Sequence, residues 1–143
     1  MIHSFTELRE VGAPELEPFR DVIGTSSCSQ TFLIESELVL QRALQSNWIV
    51  LSVLATPGKT QKLEAHCDKA TKLIEARQED LDEWVGFQLH RGCIAQVQIP
   101  EHRDASFLQM GPLPNRIVVA ERHSDPANIG SLLRNARALG AEL

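Results

Sequence analysis

The sequence predicts an α/β protein with a largely parallel sheet, because short apolar strands alternate with helices along most of the chain. Four segments rich in β-branched and other apolar residues are predicted strands: 31–35, 48–56, 71–76 and 92–100. Three segments between them are predicted helices: 36–47, 59–70 and 78–87. A chain of 143 residues suffices for one domain with a core, or for one small domain and part of another.

The strand–helix pattern begins only after a mixed, turn-rich stretch, residues 1–30. One short helix is predicted within it, at "PELEPFRDV", because Pro14 suits the first turn of a helix. Residues 24–30, "GTSSCSQ", form a predicted loop of small side chains. Ser36 is the predicted N-cap of the first helix in the pattern, since its hydroxyl can accept a hydrogen bond from an unpaired amide of the first turn.

The composition is typical of a soluble globular protein. Hydrophobic residues make up 43% of the chain and charged residues 23%. The apolar runs are far too short to span a bilayer, and the first residues lack the basic flank and apolar centre of a signal peptide. The three cysteines are scattered and form no Cys-x-x-Cys pair, so neither a disulfide framework nor a metal site is expected, and a reducing, cytoplasmic location fits best.

The charge distribution is more informative than the net charge. A formal charge of −5 argues against a protein that coats nucleic acid through a generally basic surface. Acidic residues concentrate in the first part of the chain and again at 79–83, whereas arginines concentrate in the second half. A local basic patch is therefore compatible with the sequence, although DNA and membranes are not expected partners.

The pattern changes at residues 101–115, which contain two prolines and a glycine and show no periodicity. We interpret this stretch as a linker between domains. Residues 116–121, "RIVVAE", are a further predicted strand, and residues 124–140, "SDPANIGSLLRNARALG", read as a loop that opens into a helix. The chain therefore contains one complete small α/β domain, residues 1–100, and the first β-α unit of a second, residues 116–143.

The last helix carries the residues with the strongest chemical character. Asp125 is its predicted cap, and Pro126 suits its first turn. Asn128 then lies near the helix start, Gly130 leaves space for a close approach to the backbone, and the Arg134 side chain leans back over that space. Such a group would suit an RNA phosphate or a ribose hydroxyl. An ordinary helix start with a solvated arginine has the same spacing, so the spacing alone leaves both interpretations open.

Residues 116–143 resemble the first motif of the SpoU/TrmH family of RNA 2′-O-methyltransferases, in the SPOUT superfamily. The matching residues are Asp125, Pro126, Asn128, Gly130, Arg134, Ala136 and Gly140. Upstream, "FLIESELVLQRALQS" is similar to the family's opening strand and helix, and "VGFQLHRGCIAQV" is similar to the end of its amino-terminal domain. The order and spacing of these segments agree over residues 31–143, which makes the resemblance more specific than any one motif.

The resemblance implies a small three-layer, ribosomal-protein-like RNA-binding domain followed by the first β-α unit of an α/β-knot domain. It implies a tRNA or rRNA 2′-O-ribose methyltransferase that takes its methyl group from S-adenosylmethionine. Asn128 and Arg134 would lie in the active site, where the arginine contacts the RNA phosphate or helps to activate the ribose 2′-hydroxyl. Enzymes of this family usually act as homodimers whose active site is completed across the interface.

Two departures from the family pattern matter. The family usually has glycine where this chain has Ser36, and a serine in a turn that needs a positive φ would be strained. The family's second and third motifs, which form the knot and hold the cofactor, are absent and would lie beyond Leu143. The chain is therefore expected to be an amino-terminal fragment that by itself neither binds the cofactor nor turns over.

Other candidate RNA contacts are weaker. Arg91, next to His90, precedes a predicted strand, and Glu35 ends one. Arg42, with Lys59 and Lys62, could form a modest basic face. For each of these side chains a solvated surface role is the alternative. The aromatic side chains of Trp48, Trp84 and Phe87 are predicted to belong to the core rather than to an exposed platform for base stacking.

Two further functions stay open from the sequence. The chain could be a binding module, a natural 143-residue product that retains the RNA-binding domain and has no catalytic activity. It could also be an α/β protein unrelated to RNA, in which the final segment is a phosphate-binding βα turn. RNA binding distinguishes both the methyltransferase and the RNA-binding module from the α/β protein unrelated to RNA. Cofactor binding distinguishes the methyltransferase from the binding module.

Overall fold

The computed structural model describes residues 1–22, 30–46, 48–99, 115–122 and 124–141. It divides into two compact units, Met1–Pro100 and Glu101–Leu143. Apart from Gln30, the predicted loop at 24–30 lies outside the described residues, and so does the predicted linker at 101–115, apart from Asn115.

The described residues of the first unit form a five-stranded sheet with four α-helices. The strands are β1 (Ile2–Ser4), β2 (Thr31–Glu35), β3 (Val50–Ala55), β4 (Lys72–Glu75) and β5 (Cys93–Gln98). The helices are α1 (Phe5–Glu10), α2 (Glu37–Gln45), α3 (Pro57–Glu64) and α4 (Gln78–Val85), with a 3-10 turn at Glu17–Phe19. The four strands and three helices predicted for residues 31–100 are thus confirmed. Most of their ends lie within a few residues of the predicted bounds.

The strands are ordered β1-β4-β3-β5-β2 across the sheet. β1, β4 and β3 pair in parallel, whereas β5 pairs antiparallel with both β3 and β2. All strands except β5 therefore run in the same direction, and the prediction of a largely parallel sheet is wrong for the two ladders that β5 forms.

A return of the chain after α4 explains the reversed direction of β5. The Asp82 carboxylate accepts a hydrogen bond from the Leu89 amide at 2.8 Å, and the Gln78 side-chain amide donates to the Leu89 carbonyl at 3.0 Å. These bonds bring the chain from the end of α4 back to its beginning, beside the carboxyl end of β4. The Thr56 amide then donates to the Gly92 carbonyl at 3.0 Å, so β5 starts at the edge where β3 ends.

The first thirty residues differ from the prediction. β1 and α1 occupy Ile2–Glu10, where no regular element was expected, because a three-residue strand and a six-residue helix are too short to show a periodicity. The predicted helix at "PELEPFRDV" is reduced to the 3-10 turn Glu17–Phe19. Pro18 lacks the amide that a longer helix would need there, and the turn serves to bury Phe19 completely.

The helices cover both faces of the sheet, which gives the first unit three layers. On one face, Leu40 of α2 and Leu63 of α3 pack with Val53. On the other face, Phe5 of α1 and Leu81 of α4 join a second buried cluster. Neighbouring residues of β3 face opposite clusters, which is why that strand is apolar nearly throughout rather than alternating.

The aromatic predictions hold in part. Trp84 and Phe87 pack against the second buried cluster, as expected of core side chains. Trp48, however, is 40% exposed, and the prediction that it belongs to the core is wrong. It precedes β3 and packs edge-on against Phe32 with ring centroids 5.5 Å apart.

The second unit contains one helix, α5 (Pro126–Ala138), within its described residues. The Asp125 carboxylate caps this helix as predicted, accepting a hydrogen bond from the Ala127 amide at 2.8 Å. The strand predicted at 116–121 is wrong: this segment has no regular structure, and Val119 is 86% exposed. A strand exists only through hydrogen bonds to a neighbouring strand, and the described part of this unit offers none.

Ser36 combines strain with a helix cap. Its backbone has φ 99° and ψ 143°, a region that glycine occupies readily and other residues avoid. Its side chain is 3% exposed, and its hydroxyl accepts a hydrogen bond from the Val39 amide at 3.4 Å. The departure from the family's glycine thus has both effects that the sequence implied, a capped helix and a strained turn.

Replacement of Ser36 by glycine should stabilise the protein, whereas replacement by alanine should destabilise it. Strain in this backbone region costs on the order of 1–3 kcal/mol. Ser36→Gly removes the strain and loses little as a cap, so the free energy of unfolding should rise by about 1 kcal/mol. Ser36→Ala keeps the strain and loses the cap, so it should fall by about 1 kcal/mol. Urea unfolding of both variants measures this, and equal losses in the two would contradict the strain interpretation.

The thiol of Cys93 should be unreactive in the folded protein. Cys93 is fully buried, and this burial raises its pKa to about 12. Thiolate is the reactive form, so both access and ionisation protect the side chain. In a variant that keeps Cys93 as its only cysteine, modification by a disulfide reagent should proceed only at the rate of unfolding. Rapid stoichiometric labelling under native conditions would show that the packing around β5 is not as described.

Candidate functional site

The carboxyl ends of four strands meet at one edge of the sheet, and β5 begins there. Three backbone hydrogen bonds join the segments at this edge: Ser36 to Cys93 at 3.2 Å, Thr56 to Gly92 at 3.0 Å, and Ala76 to Ala55 at 3.0 Å. In open α/β sheets, ligands bind outside the carboxyl ends of the strands. The topology therefore predicts that a binding site of the first unit lies at this edge.

A cleft of about 450 Å³ opens at this edge. Its lining comes from the start of α2, the start of α3 and the segment before β5, and consists of Ser36, Glu37, Leu38, Gln41, Lys59, His90 and Arg91. We call it the edge cleft. Its lining is polar except for Leu38, which suits a charged ligand better than an apolar one.

An ion pair crosses the edge cleft. The ammonium group of Lys59 lies 2.5 Å from Oε2 of Glu37, and Gln41 donates a longer hydrogen bond of 3.4 Å to Oε1 of the same carboxylate. The hydrogen bond from Lys59, with its positive charge, holds the pKa of Glu37 below its usual range despite partial burial. Both partners are accessible, with side-chain exposures of 34% for Lys59 and 25% for Glu37, so a ligand could reach either.

The structure brings some of the predicted RNA contacts together and separates others. Arg91 and His90 line the edge cleft with Lys59. Glu35 ends β2 beside Ser36 and is exposed, but it is not part of the lining. Arg42 is exposed further along α2, and it is likewise absent from the lining, so the predicted basic face of Arg42 with the α3 lysines does not form at this cleft.

Sequence reasoning missed Glu37 and Gln41. Their spacing of four residues places both on one face of α2, which is a readable signal. That this face meets Lys59 of α3 depends on the packing of two helices on the same side of the sheet, and no local pattern carries that information.

The motif residues Asn128 and Arg134 lie on α5, Asn128 in its first turn and Arg134 in its second half. Asn128 and Arg134 are exposed, and the Arg134 guanidinium donates to the Ser131 hydroxyl at 3.3 Å, leaning toward the amino end of the helix as predicted. A Cβ atom at Gly130 would meet no atom within 4 Å. Packing among the described residues therefore does not require glycine there, and the face beside it is open to a ligand.

The described residues offer no cluster of three or more histidine, cysteine or carboxylate side chains that could hold a metal ion. Within the same part of the chain, no helix has the length and apolar character needed to cross a membrane.

Comparison with known proteins gives a consistent family of matches, although no family model matches the chain. A curated relative from Mycolicibacterium paratuberculosis, named an uncharacterized tRNA/rRNA methyltransferase, is 30% identical over 96 residues, which cover 65% of this chain and 31% of the relative. A relative of the same description from Mycobacterium tuberculosis is 26% identical over 137 residues, covering 90% of this chain and 46% of the relative. The chain thus spans less than half the length of these two relatives.

Two solved structures share the fold. An RNA 2′-O ribose methyltransferase matches with a TM-score of 0.65 and 25% identity over 99% of this chain and 54% of its own. The SpoU methyltransferase AviRb from Streptomyces viridochromogenes, solved in complex with AdoMet, matches with a TM-score of 0.60 and 22% identity over 90% of this chain and 50% of its own. The relatives and the structural neighbours together support the assignment that the motif resemblance predicted, to the SpoU/TrmH family of RNA methyltransferases.

Proposed function

We propose that this chain supplies the RNA-binding domain and the first catalytic motif of an S-adenosylmethionine-dependent 2′-O-ribose methyltransferase that acts on tRNA or rRNA. The observation that carries the proposal is the structural likeness to an RNA 2′-O ribose methyltransferase, which extends over 99% of the chain at a TM-score of 0.65. The motif residues of α5 and the edge cleft give the two parts of the chain distinct roles within that function.

Asn128 and Arg134 are the proposed catalytic residues. Methyl transfer requires the ribose 2′-oxygen to be oriented as it attacks, while the proton of the hydroxyl passes to solvent water. The exposed Arg134 guanidinium, which donates to the Ser131 hydroxyl, can bind the adjacent phosphate and stabilise the developing negative charge on the oxygen. The Asn128 amide, exposed in the first turns of α5, can orient the hydroxyl by hydrogen bonding.

S-adenosylmethionine would supply the methyl group, but the described residues of the second unit do not form its site. The space beside Gly130 is open rather than enclosed, and the Cβ position of Gly140 lies 3.1 Å from the Arg116 side chain, which fills it. Neither glycine therefore lines a cradle for a nucleoside. The contacts of the cofactor are assigned to no residue of this chain.

The edge cleft is the proposed RNA contact of the first unit. Lys59, His90 and Arg91 come from different segments and converge on one opening, although the chain as a whole carries a charge of −5. A local cationic group of this kind binds phosphates without requiring a generally basic surface. Polar lining and small volume suit one phosphate with its ribose better than a broad duplex face.

Substitution of Asn128 or Arg134 by alanine should reduce methyl transfer by about ten- to a thousandfold, as expected when a positioned transition-state group is removed. The measurement is transfer of labelled methyl from S-adenosylmethionine to unfractionated tRNA and rRNA, using the protein as produced from its gene. Asn135→Ala and Arg137→Ala on the same helix are matched controls, since both side chains are exposed.

Unchanged transfer by both site variants would exclude these residues from catalysis. Binding of RNA by the wild-type protein without any methyl transfer would instead favour the non-catalytic RNA-binding module. Absence of both activities would favour the α/β protein unrelated to RNA.

Lys59→Met and Arg91→Met should each weaken RNA binding and flatten its dependence on salt. Removing one cation that binds a phosphate should reduce the slope of log K against log salt by about 0.7–0.9. Filter binding of unfractionated tRNA over a salt series measures the slope. Lys69→Met is the control, because Lys69 is exposed and precedes β4 at the opposite edge of the sheet. Equal slopes for all three variants would exclude the edge cleft as the RNA contact.

A further inference from the structure

The edge cleft already contains an anion of the protein's own. Among the described residues that line it, Glu37 alone carries a carboxylate. Its Oε2 atom accepts a charge-assisted hydrogen bond from the Lys59 ammonium. Lys59, a proposed RNA contact, is therefore paired with Glu37 in the free protein.

The position of Glu37 is one that a phosphate would also favour. It is the first residue of α2, where unpaired backbone amides and the helix macrodipole attract negative charge. Lys59 adds an ammonium group from α3, and Lys62 and His66 of the same region add a weaker electrostatic attraction. The carboxylate and an incoming phosphate would thus compete for the same donors.

The contact is also reversible. Glu37 and Lys59 retain side-chain exposures of 25% and 34%, and both are long side chains that can turn toward solvent. Exposed ion pairs contribute little to stability because water and salt replace each partner readily. Displacing Glu37 from Lys59 therefore requires only a modest gain from the entering ligand.

We propose that Glu37 is a built-in competitor for RNA phosphate at Lys59, and that it weakens the binding of RNA at the edge cleft. The inference rests on the RNA-binding function proposed above. His90 and Arg91 face the same cleft from the segment before β5, so they can engage RNA before the carboxylate is displaced. Every RNA that places a phosphate at Lys59 must displace Glu37, so only RNA with additional contacts binds tightly despite that cost.

The decisive variant is Glu37→Gln, which keeps the shape of the side chain and removes its charge. Loss of a competitor held by a half-exposed ion pair should tighten binding of unfractionated tRNA by roughly three- to tenfold at low salt. Glu64→Gln is the matched control: it makes the same charge change on α3, where the 53% exposed carboxylate pairs with the chain's amino terminus instead. We expect its affinity to stay within about twofold of the wild type.

A double-mutant cycle tests whether the effect passes through Lys59. In the Lys59→Met background, Glu37→Gln should give a gain close to that of the Glu64→Gln control, because the competitor no longer has a shared cation. Glu37→Ala is a second variant that should tighten binding in the same way if Glu37→Gln perturbs folding. Urea unfolding of each variant shows which of them is folded.

The outcomes separate this inference from the proposed function. Suppose that Lys59→Met weakens RNA binding but both Glu37 variants bind no more tightly than the wild type. The inference that Glu37 competes with RNA is then wrong, whereas the proposed RNA contact at the edge cleft stands. If Glu64→Gln tightens binding as much as Glu37→Gln, the effect is general charge and the inference is again wrong. If neither Lys59→Met nor Arg91→Met changes binding, the edge cleft is not the RNA site and both proposals fall.

Discussion

The hydrogen bonds that join Gln78 and Asp82 to Leu89 decide where β5 begins, and the arrangement of the edge cleft depends on them. Without this return, the chain leaving α4 would enter β5 from the opposite end of the sheet. His90 and Arg91 would then lie far from Ser36 and Lys59. The short return after α4 thus converts a pattern that reads as parallel into a mixed sheet, and brings two cationic segments to one opening.

Local features of the fold could be read from the sequence, and long-range features could not. β2 coincides with its predicted bounds, 31–35, and the caps Ser36 and Asp125 act as predicted. The direction of β5 depends on side-chain hydrogen bonds across the turn after α4, which leave no periodic signal. Residues 116–121 were predicted to form a strand because their apolar, β-branched side chains favour strand pairing. A strand also needs a neighbouring strand to pair with.

The candidate sites show the same division. Asn128, Gly130 and Arg134 lie on one helix, so their relation follows from helical spacing alone. The edge cleft draws on three segments that are distant in sequence, and the sequence indicated only its cations as possible RNA contacts. The Lys59–Glu37 pair has a sequence separation of 22 and depends on how α2 and α3 pack on the same face. Ser36 links the two levels, since its hydroxyl caps α2 and its strained backbone lies directly before Glu37, which lines the cleft with it.

The backbone bonds across the sheet edge bear on the thermodynamics of association. Ser36, Thr56 and Ala76 each donate their amide to a neighbouring segment, so the loops that carry the edge cleft are ordered before any ligand arrives. Fixing a backbone residue costs about 1–2 kcal/mol of conformational entropy, and here that cost falls on folding. Only side chains remain to be ordered when a ligand binds. Association at this edge should accordingly resemble docking to a rigid surface, with a small heat-capacity change, rather than coupled folding.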